Sequence, residues 1–345
     1  MRSTDIYELG GRVLHVNNSD ESVARIGRNF FQGFYLKPVS DGTGHTADCT
    51  ITLKTEAPPL VPSGAREFEI QRGVCFADRN RMVLLVDGSQ IEIEPQFPGR
   101  VSVWFGHTDH ARHPVAIVNV LSYALPAALR RCTLYEVHAA GLIEPLSGAG
   151  FLLIGDSNSG KSSLTIRLAN AGWKYLTDDM LVVKDEQSGV KALALRKIFS
   201  IAPSSIAASG LSQLNSALGT TVNSDRSKRR LEPSNAFPGR FEAKCTPQVL
   251  CFLSISKNQN SVIKEISQSD AMIKMIKHCA WSSYDETGAA GFLKTLGRLV
   301  GQARCFQLSA GLDFLEDPLL PGKVLSRLVQ SQTESDGRTG CSNGK

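Results

Sequence analysis

An α/β fold preceded by a smaller β-rich domain is what this sequence predicts, on three observations. Between residues 10 and 105, short alternating or apolar runs such as "RVLHV", "CTITL", "MVLLVDG" and "VSVWFG" are separated by turn residues, which is the pattern of strands. Beyond that region, apolar strand patterns alternate with helical ones, the pattern of an α/β domain. With 345 residues, 42% of them hydrophobic and 21% charged, the chain is long enough for a full core and two domains. The boundaries fall at 1–112 for the β-rich domain and 113–332 for the α/β domain. The polar, glycine-rich end "SQTESDGRTGCSNGK" has no apolar periodicity, so 333–345 is expected to be a disordered tail.

In chain order, "VDGSQIEIE" is the clearest hairpin, because Asp-Gly between alternating strands suits a tight turn. "HTDHARHP" then separates the domains. Its His107, His110 and His113 would share a helix face, but Asp109 and Pro114 favour a loop and no second ligand cluster accompanies them, so it reads as a polar linker. "VAIVNVLSYALPAALRRC" predicts a helix broken or kinked near Pro126. "YEVHAAGLIE", "GFLLIG" and "YLTDDMLVV" follow as strands, the last interrupted by Asp178 and Asp179. "VKALALR" and "VLCFLSIS" read as further strands; "SDAMIKMIKHC", "TGAAGFLKTLGRLVGQ" and "PGKVLSRLVQ" read as helices.

Composition excludes several classes. No run of eighteen apolar residues occurs, and the start "MRSTDIYELGGRVLHV" has acidic residues where a secretory signal needs a basic then apolar run, so a cytoplasmic, non-membrane protein is expected. Eight cysteines without a CxxC pair imply reduced thiols, neither a zinc knuckle nor a disulfide framework. The net charge of +5 comes with one dense basic cluster, Arg226 to Arg230, and no long arm for nucleic acid. Trp104, Trp173 and Trp281 are too dispersed for a base-stacking platform, so packing roles are expected.

The segment Gly155-Asp156-Ser157-Asn158-Ser159-Gly160-Lys161-Ser162 fits GxxxxGK[ST] residue for residue, after an apolar strand and before a helix. Glycines let such a loop wrap an anion, with backbone N–H groups and the helix N-terminus aimed at a β-phosphate and Lys161 reaching the β- and γ-oxygens. Ser162 would hold magnesium through its hydroxyl. The helix "SSLTIRLANAG" reads as amphipathic, with Gly172 as its C-terminal stop.

Seventeen residues past Lys161 come Asp178 and Asp179, in a strand where carboxylates need a metal or a proton to handle. Neighbouring strand residues face opposite sides, so without a bulge only one carboxylate would face the phosphates. The short interval points to a small kinase-like site: a phosphate cradle, a cation and a carboxylate to take a hydroxyl proton.

The strings "FLLIGDSNSGKSS" and "YLTDDMLVV" resemble the HPr kinase/phosphorylase superfamily, in particular its C-terminal catalytic domain and the shorter HPr-kinase-related proteins. The resemblance is specific over 150–183 and extends more loosely over 132–330. It implies a P-loop nucleotide-binding domain of the HPr kinase / PEP carboxykinase-like type, with ATP and Mg as cofactors. It also implies that His138 lies near the phosphates, that Ser163 belongs to the loop, and that Lys228 or Arg229 meets a phosphate. Asp178 is then the base that deprotonates the acceptor hydroxyl, and Asp179, with Ser162, the metal helper. The implied partner is a peptide or protein bearing an acceptor Ser or Thr, and a homo-oligomer is compatible with it. Asn158-Ser159 and Ser163 depart from the usual family residues, and the family's second Gly-, Arg-, Asn- and Ala-rich signature is missing. Neither HPr as substrate nor reverse phosphorolysis is therefore carried over. Alternatives are a small-metabolite P-loop kinase and a nucleotide-sensing module that transfers nothing.

Overall fold

The computed structural model describes residues 2–40, 44–78, 81–96, 98–106, 114–203, 206, 211–222 and 225–330. The histidines at 107, 110 and 113, the boundary at 112 and the tail 333–345 lie outside these described residues. The alternating runs of the N-terminal region form nine strands: β1 (Ser3–Leu9), β2 (Arg12–Asn18), β3 (Lys37–Pro38), β4 (Cys49–Lys54), β5 (Arg66–Ile70), β6 (Gly73–Ala77), β7 (Met82–Val86), β8 (Ser89–Glu94) and β9 (Gly99–Trp104). They pair in one sheet of order β3-β1-β2-β4-β9-β8-β7-β6-β5. The Asp87-Gly88 turn between β7 and β8 has φ of 46° and 76°, with Val86 opposite Ser89. That is the left-handed pair a two-residue hairpin requires.

Helices α1 (Glu21–Phe31) and α2 (Pro114–Arg131) share one hydrophobic core with this sheet. Of the break or kink expected near Pro126, the break does not occur: α2 runs as one helix through it. Val120, Leu121, Ala124, Leu125, Ala127 and Ala128 are all buried, and their packing on the sheet outweighs the one backbone bond that proline cannot make. Although the sequence groups α2 with the second domain, its buried face lies against β4, β8 and β9.

The remaining elements are β10 (Tyr135–Val137), β11 (Ala139–Ile143), β12 (Gly150–Ile154), α3 (Lys161–Asn170), β13 (Lys174–Thr177), β14 (Leu181–Glu186), β15 (Gly189–Ala194), β16 (Phe199–Ile201), β17 (Leu218–Val222), β18 (Asp225–Leu231), α4 (Pro233–Ala236), β19 (Lys244–Cys245), β20 (Pro247–Ile255), β21 (Val262–Glu265), α5 (Gln268–Lys277), α6 (Glu286–Gln302), β22 (Arg304–Ala310), α7 (Asp313–Glu316) and α8 (Leu320–Gln330). The protein is thus mixed α/β with several sheets. A six-stranded sheet runs β13-β11-β12-β20-β22-β21, a four-stranded one β10-β14-β15-β19, and a three-stranded one β16-β18-β17. Within the six-stranded sheet β12, β20 and β22 are mutually parallel.

Two expected strands are each divided in two. "YEVHAAGLIE" breaks at His138, with β10 paired to β14 and β11 paired to β12 and β13. "YLTDDMLVV" breaks across Asp178 to Met180, leaving β13 in the six-stranded sheet and β14 in the four-stranded one. At both breaks a polar side chain stands where a buried ladder favours an apolar one. The chain changes sheet twice at the same place, and the two breaks face each other.

A buried ion network joins α2 to α6. Asp285 Oδ2 lies 2.8 Å from Arg130 Nε and 2.9 Å from Arg131 Nη1, while its Oδ1 accepts the Gly288 N–H at 3.0 Å and caps α6. Arg130 also pairs with Glu136 and stacks 4.3 Å from the Trp281 ring centre. Trp173 packs edge-on against Phe151 in a second core. The cysteines among the described residues are all buried and free. Among the same residues, no helix is long and apolar enough to cross a membrane.

Candidate functional site

The 155–162 segment leaves the C-terminal end of β12 beside β20 and enters α3. Such an end of parallel strands is where α/β sheets bind ligands. Gly160, with φ 94°, stands at the N-cap and offers no side-chain cap to the helix. The first N–H groups of α3 are therefore available to an anion. Asn158 also takes a left-handed φ of 66°. Asp156, Ser157 and Asn158 are exposed and Ser159 is buried. Lys161 is buried and folds back into the loop, its Nζ donating to Gly155 O at 2.7 Å and Asp156 O at 3.0 Å. Burial pulls the Lys161 pKa down, against the opposing pull of Asp179, Asp178 and Asp156. The helix after the loop, expected to be amphipathic, is buried on most faces, with Leu164, Thr165, Ile166, Arg167, Leu168 and Ala169 all enclosed.

Gly155 is where the loop needs a missing side chain. A Cβ there would lie 2.5 Å from Leu253 O and 2.6 Å from Ser159 Oγ. Gly155→Ala is therefore expected to shift the loop backbone, costing about 1–3 kcal/mol in stability. Urea unfolding measures that cost.

Both aspartates come to the loop, because the backbone bends across them instead of continuing as a strand. Their environments differ sharply. Asp179 Oδ1 meets His138 Nε2 at 2.5 Å, and its Oδ2 accepts from Arg196 Nη1 at 3.0 Å. Burial opposes its charge, yet the hydrogen bond and charge of His138, with Arg196 and Lys161, hold its pKa well below the usual carboxylate range. Asp178 is fully enclosed and neither oxygen has a hydrogen-bond partner among the described residues. Burial first, then the Asp179 charge, lift its pKa to about 7; Ser162 and Arg196 pull the other way. Ser162 is thus close enough to act on Asp178.

His138 stands at the β10/β11 break and so reaches Asp179. Arg229, expected at a phosphate, is exposed on β18. Strand alternation puts Lys228 and Arg230 on the opposite face. Lys228 is the member of the cluster whose charge bears on Lys161. Ser163 is half-buried at the start of α3.

Two site residues escaped the sequence reading. Arg196 follows β15 in "LRKIF", which carries no motif. His278, just past α5, places Nδ1 3.7 Å from Asp156 Oδ1, and burial lowers its pKa, with the His138 and Lys161 charges acting in the same direction. No local pattern marks either residue.

Among solved structures, the chain is similar to the Hpr(Ser) kinase/phosphatase from Coxiella burnetii, with 14% identity, coverage of 57% of this chain and 98% of that chain, and a TM-score of 0.30. A likeness at that level carries no argument about activity. No family model matches the chain, and no curated protein matches it in sequence.

Proposed function

We infer that this chain is a phosphotransferase that moves the γ-phosphoryl group of ATP onto a hydroxyl of a peptide or protein. The observation that carries the reading is Asp178: a carboxyl sealed from water, unpartnered at both oxygens, lifted to about 7, and set beside a GxxxxGKS loop. A carboxylate with that pKa is suited to take a proton near neutral pH. A purely structural aspartate in the same place would be expected to hold hydrogen bonds.

The residues fit magnesium. The Ser162 hydroxyl is a hard oxygen donor and would hold the ion, which leaves Asp178 free to act as the base. Magnesium keeps several of its waters and is completed by substrate phosphates. When bound, the ion supplies charge neutralisation on the phosphate oxygens. Asp179, engaged at both oxygens, is better placed to position its neighbours than to bind metal.

In this reading the free N–H groups of α3 and the Lys161 ammonium bind the phosphates, and Lys161 exchanges loop carbonyls for phosphate oxygens. Asp178 accepts the proton of the acceptor hydroxyl as its oxygen attacks the γ-phosphorus and the bond to the β-phosphate oxygen breaks. Asp179 holds His138 and Arg196 at the edge of that reaction space.

The test is transfer from γ-labelled ATP with magnesium, for wild type and Lys161→Met, onto serine and threonine peptides and small hydroxyl metabolites. Acid-stable seryl or threonyl label, reduced about 10²–10³-fold in the variant, is the expected result. Label on small metabolites alone makes a metabolite kinase the better reading. ATP binding without any transfer makes it a nucleotide sensor.

A further inference from the structure

Beside Asp179 lies a cavity of about 170 Å³, bounded by α1, α2, the bend at Met180 and the β16/β18 strand pair. Its walls are of two kinds. Phe30, Phe34, Leu125 and Met180 are apolar, whereas Arg196 and Arg230 bring guanidinium groups. Arg196 spends one nitrogen on Asp179. Arg230, exposed and paired through its backbone with Ser200, has no carboxylate partner among the described residues. The cavity therefore holds two guanidiniums against a single neighbouring carboxylate.

This combination selects for a ligand. Apolar walls favour an apolar group, and a planar guanidinium without a counter-charge favours a carboxylate. The volume suits a side chain or two of an extended segment, not the face of a folded protein. Position adds the third constraint. Met180 follows the aspartate pair directly in the chain and Arg196 is bonded to Asp179, so an occupant ends next to the carboxyls of the site.

We propose that this cavity seats the phosphoryl acceptor, a peptide segment that carries an apolar side chain and a carboxylate near the hydroxyl to be phosphorylated. The seat rests on the kinase reading for what happens to the hydroxyl. Binding itself rests on the cavity alone. The N-terminal sheet, through α1 and α2, then supplies one wall of the substrate site.

The experiment uses an array of serine-centred peptides in which each flanking position is varied, probed with the fluorescently tagged full chain. Three forms are compared: wild type, Arg230→Gln and Ser122→Trp. Ser122 is an exposed α2 residue that lines the cavity, with its hydroxyl bonded to Val118 O in its own helix, so a tryptophan there obstructs the space. Wild type is expected to be retained on peptides with an aliphatic or aromatic residue close to Asp or Glu. Arg230→Gln is expected to cut retention on acidic peptides at least fivefold, and Ser122→Trp on all of them. Retention of no peptide, retention indifferent to the acidic residue, or retention unchanged in both variants overturns the seat.

The same array is then supplied with γ-labelled ATP and magnesium. Peptides bound with the expected preference but never labelled support the seat and overturn the kinase reading. Labelling without that preference supports the kinase reading and overturns the seat.

Discussion

Asp178→Asn is expected to lower phosphoryl transfer by about 10²–10⁴-fold, the usual contribution of a positioned base, while making the ligand-free protein harder to unfold at pH 8. The two effects share a cause. Burial and the Asp179 charge raise the Asp178 pKa from an ordinary 3.8 to about 7, so charging this carboxyl in place costs stability. A raised folded-state pKa makes the folded chain bind more protons than the unfolded one between about pH 4 and 7, so the wild type loses stability as pH climbs through that range. The amide carries no charge and escapes this loss. It remains a buried polar group, so about 1–3 kcal/mol is the expected gain at pH 8, with little difference at pH 5. Urea unfolding of both forms at the two pH values is the measurement. An equal gap at pH 5 and pH 8, or a less stable variant at pH 8, would mean that no charge is being forced into the bend. Adding ATP and magnesium should stabilise the wild type, because a ligand that binds only the folded state adds stability.

The division of labour between Asp178 and Asp179 was not legible in the sequence, although the pair itself was. The GxxxxGKS string and the two aspartates are local patterns, and any reading by spacing finds them. What separates their roles is long-range: His138 and Arg196 reach Asp179 from two different chain segments, and nothing comparable reaches Asp178. The strand rule leaves the point open, allowing one carboxylate at the phosphates unless the backbone bulges. A polar pair in a buried strand bends the chain out of one sheet and into another, and both groups then bear on Lys161. The same reasoning accounts for His138, since a lone strand histidine has no readable function until the matching break brings it opposite. Pro126 shows the reverse case, in which the burial of α2 on the nine-stranded sheet overrides a local helix-breaking signal. The cavity lined by Arg196 and Arg230 had no sequence signature, because its walls come from four separated segments.

Asp285→Ala should produce the largest loss of stability of any substitution considered, about 3–5 kcal/mol from the broken buried pair alone. In the native chain one carboxylate satisfies two enclosed guanidiniums and caps a helix. Its side chain is 1% exposed and that of Arg130 is 4% exposed. Truncation leaves Arg130 with Glu136 only, strips Arg131 of its ionic partner, and uncaps α6, which adds about 1 kcal/mol. Asp285→Asn separates these contributions, because the amide oxygen can still accept from Gly288 N while the charge is gone. The pH dependence runs opposite to that of Asp178. Burial disfavours the Asp285 carboxylate, but Arg130 and Arg131 outweigh it and hold the pKa below 3.8. The stability this provides is complete above about pH 4 and fades as pH falls toward the lowered folded-state value. The difference between wild type and either variant should therefore be full at pH 7 and shrink steadily below pH 4. Denaturant unfolding across that range checks it, and a difference that stays constant into acid would assign the loss to packing and capping instead of charge. Because the network ties α2, which packs on the N-terminal sheet, to the start of α6, the same substitution should also loosen the helix that walls the cavity. Peptide retention by Asp285→Asn is then expected to fall even at temperatures where the chain remains folded.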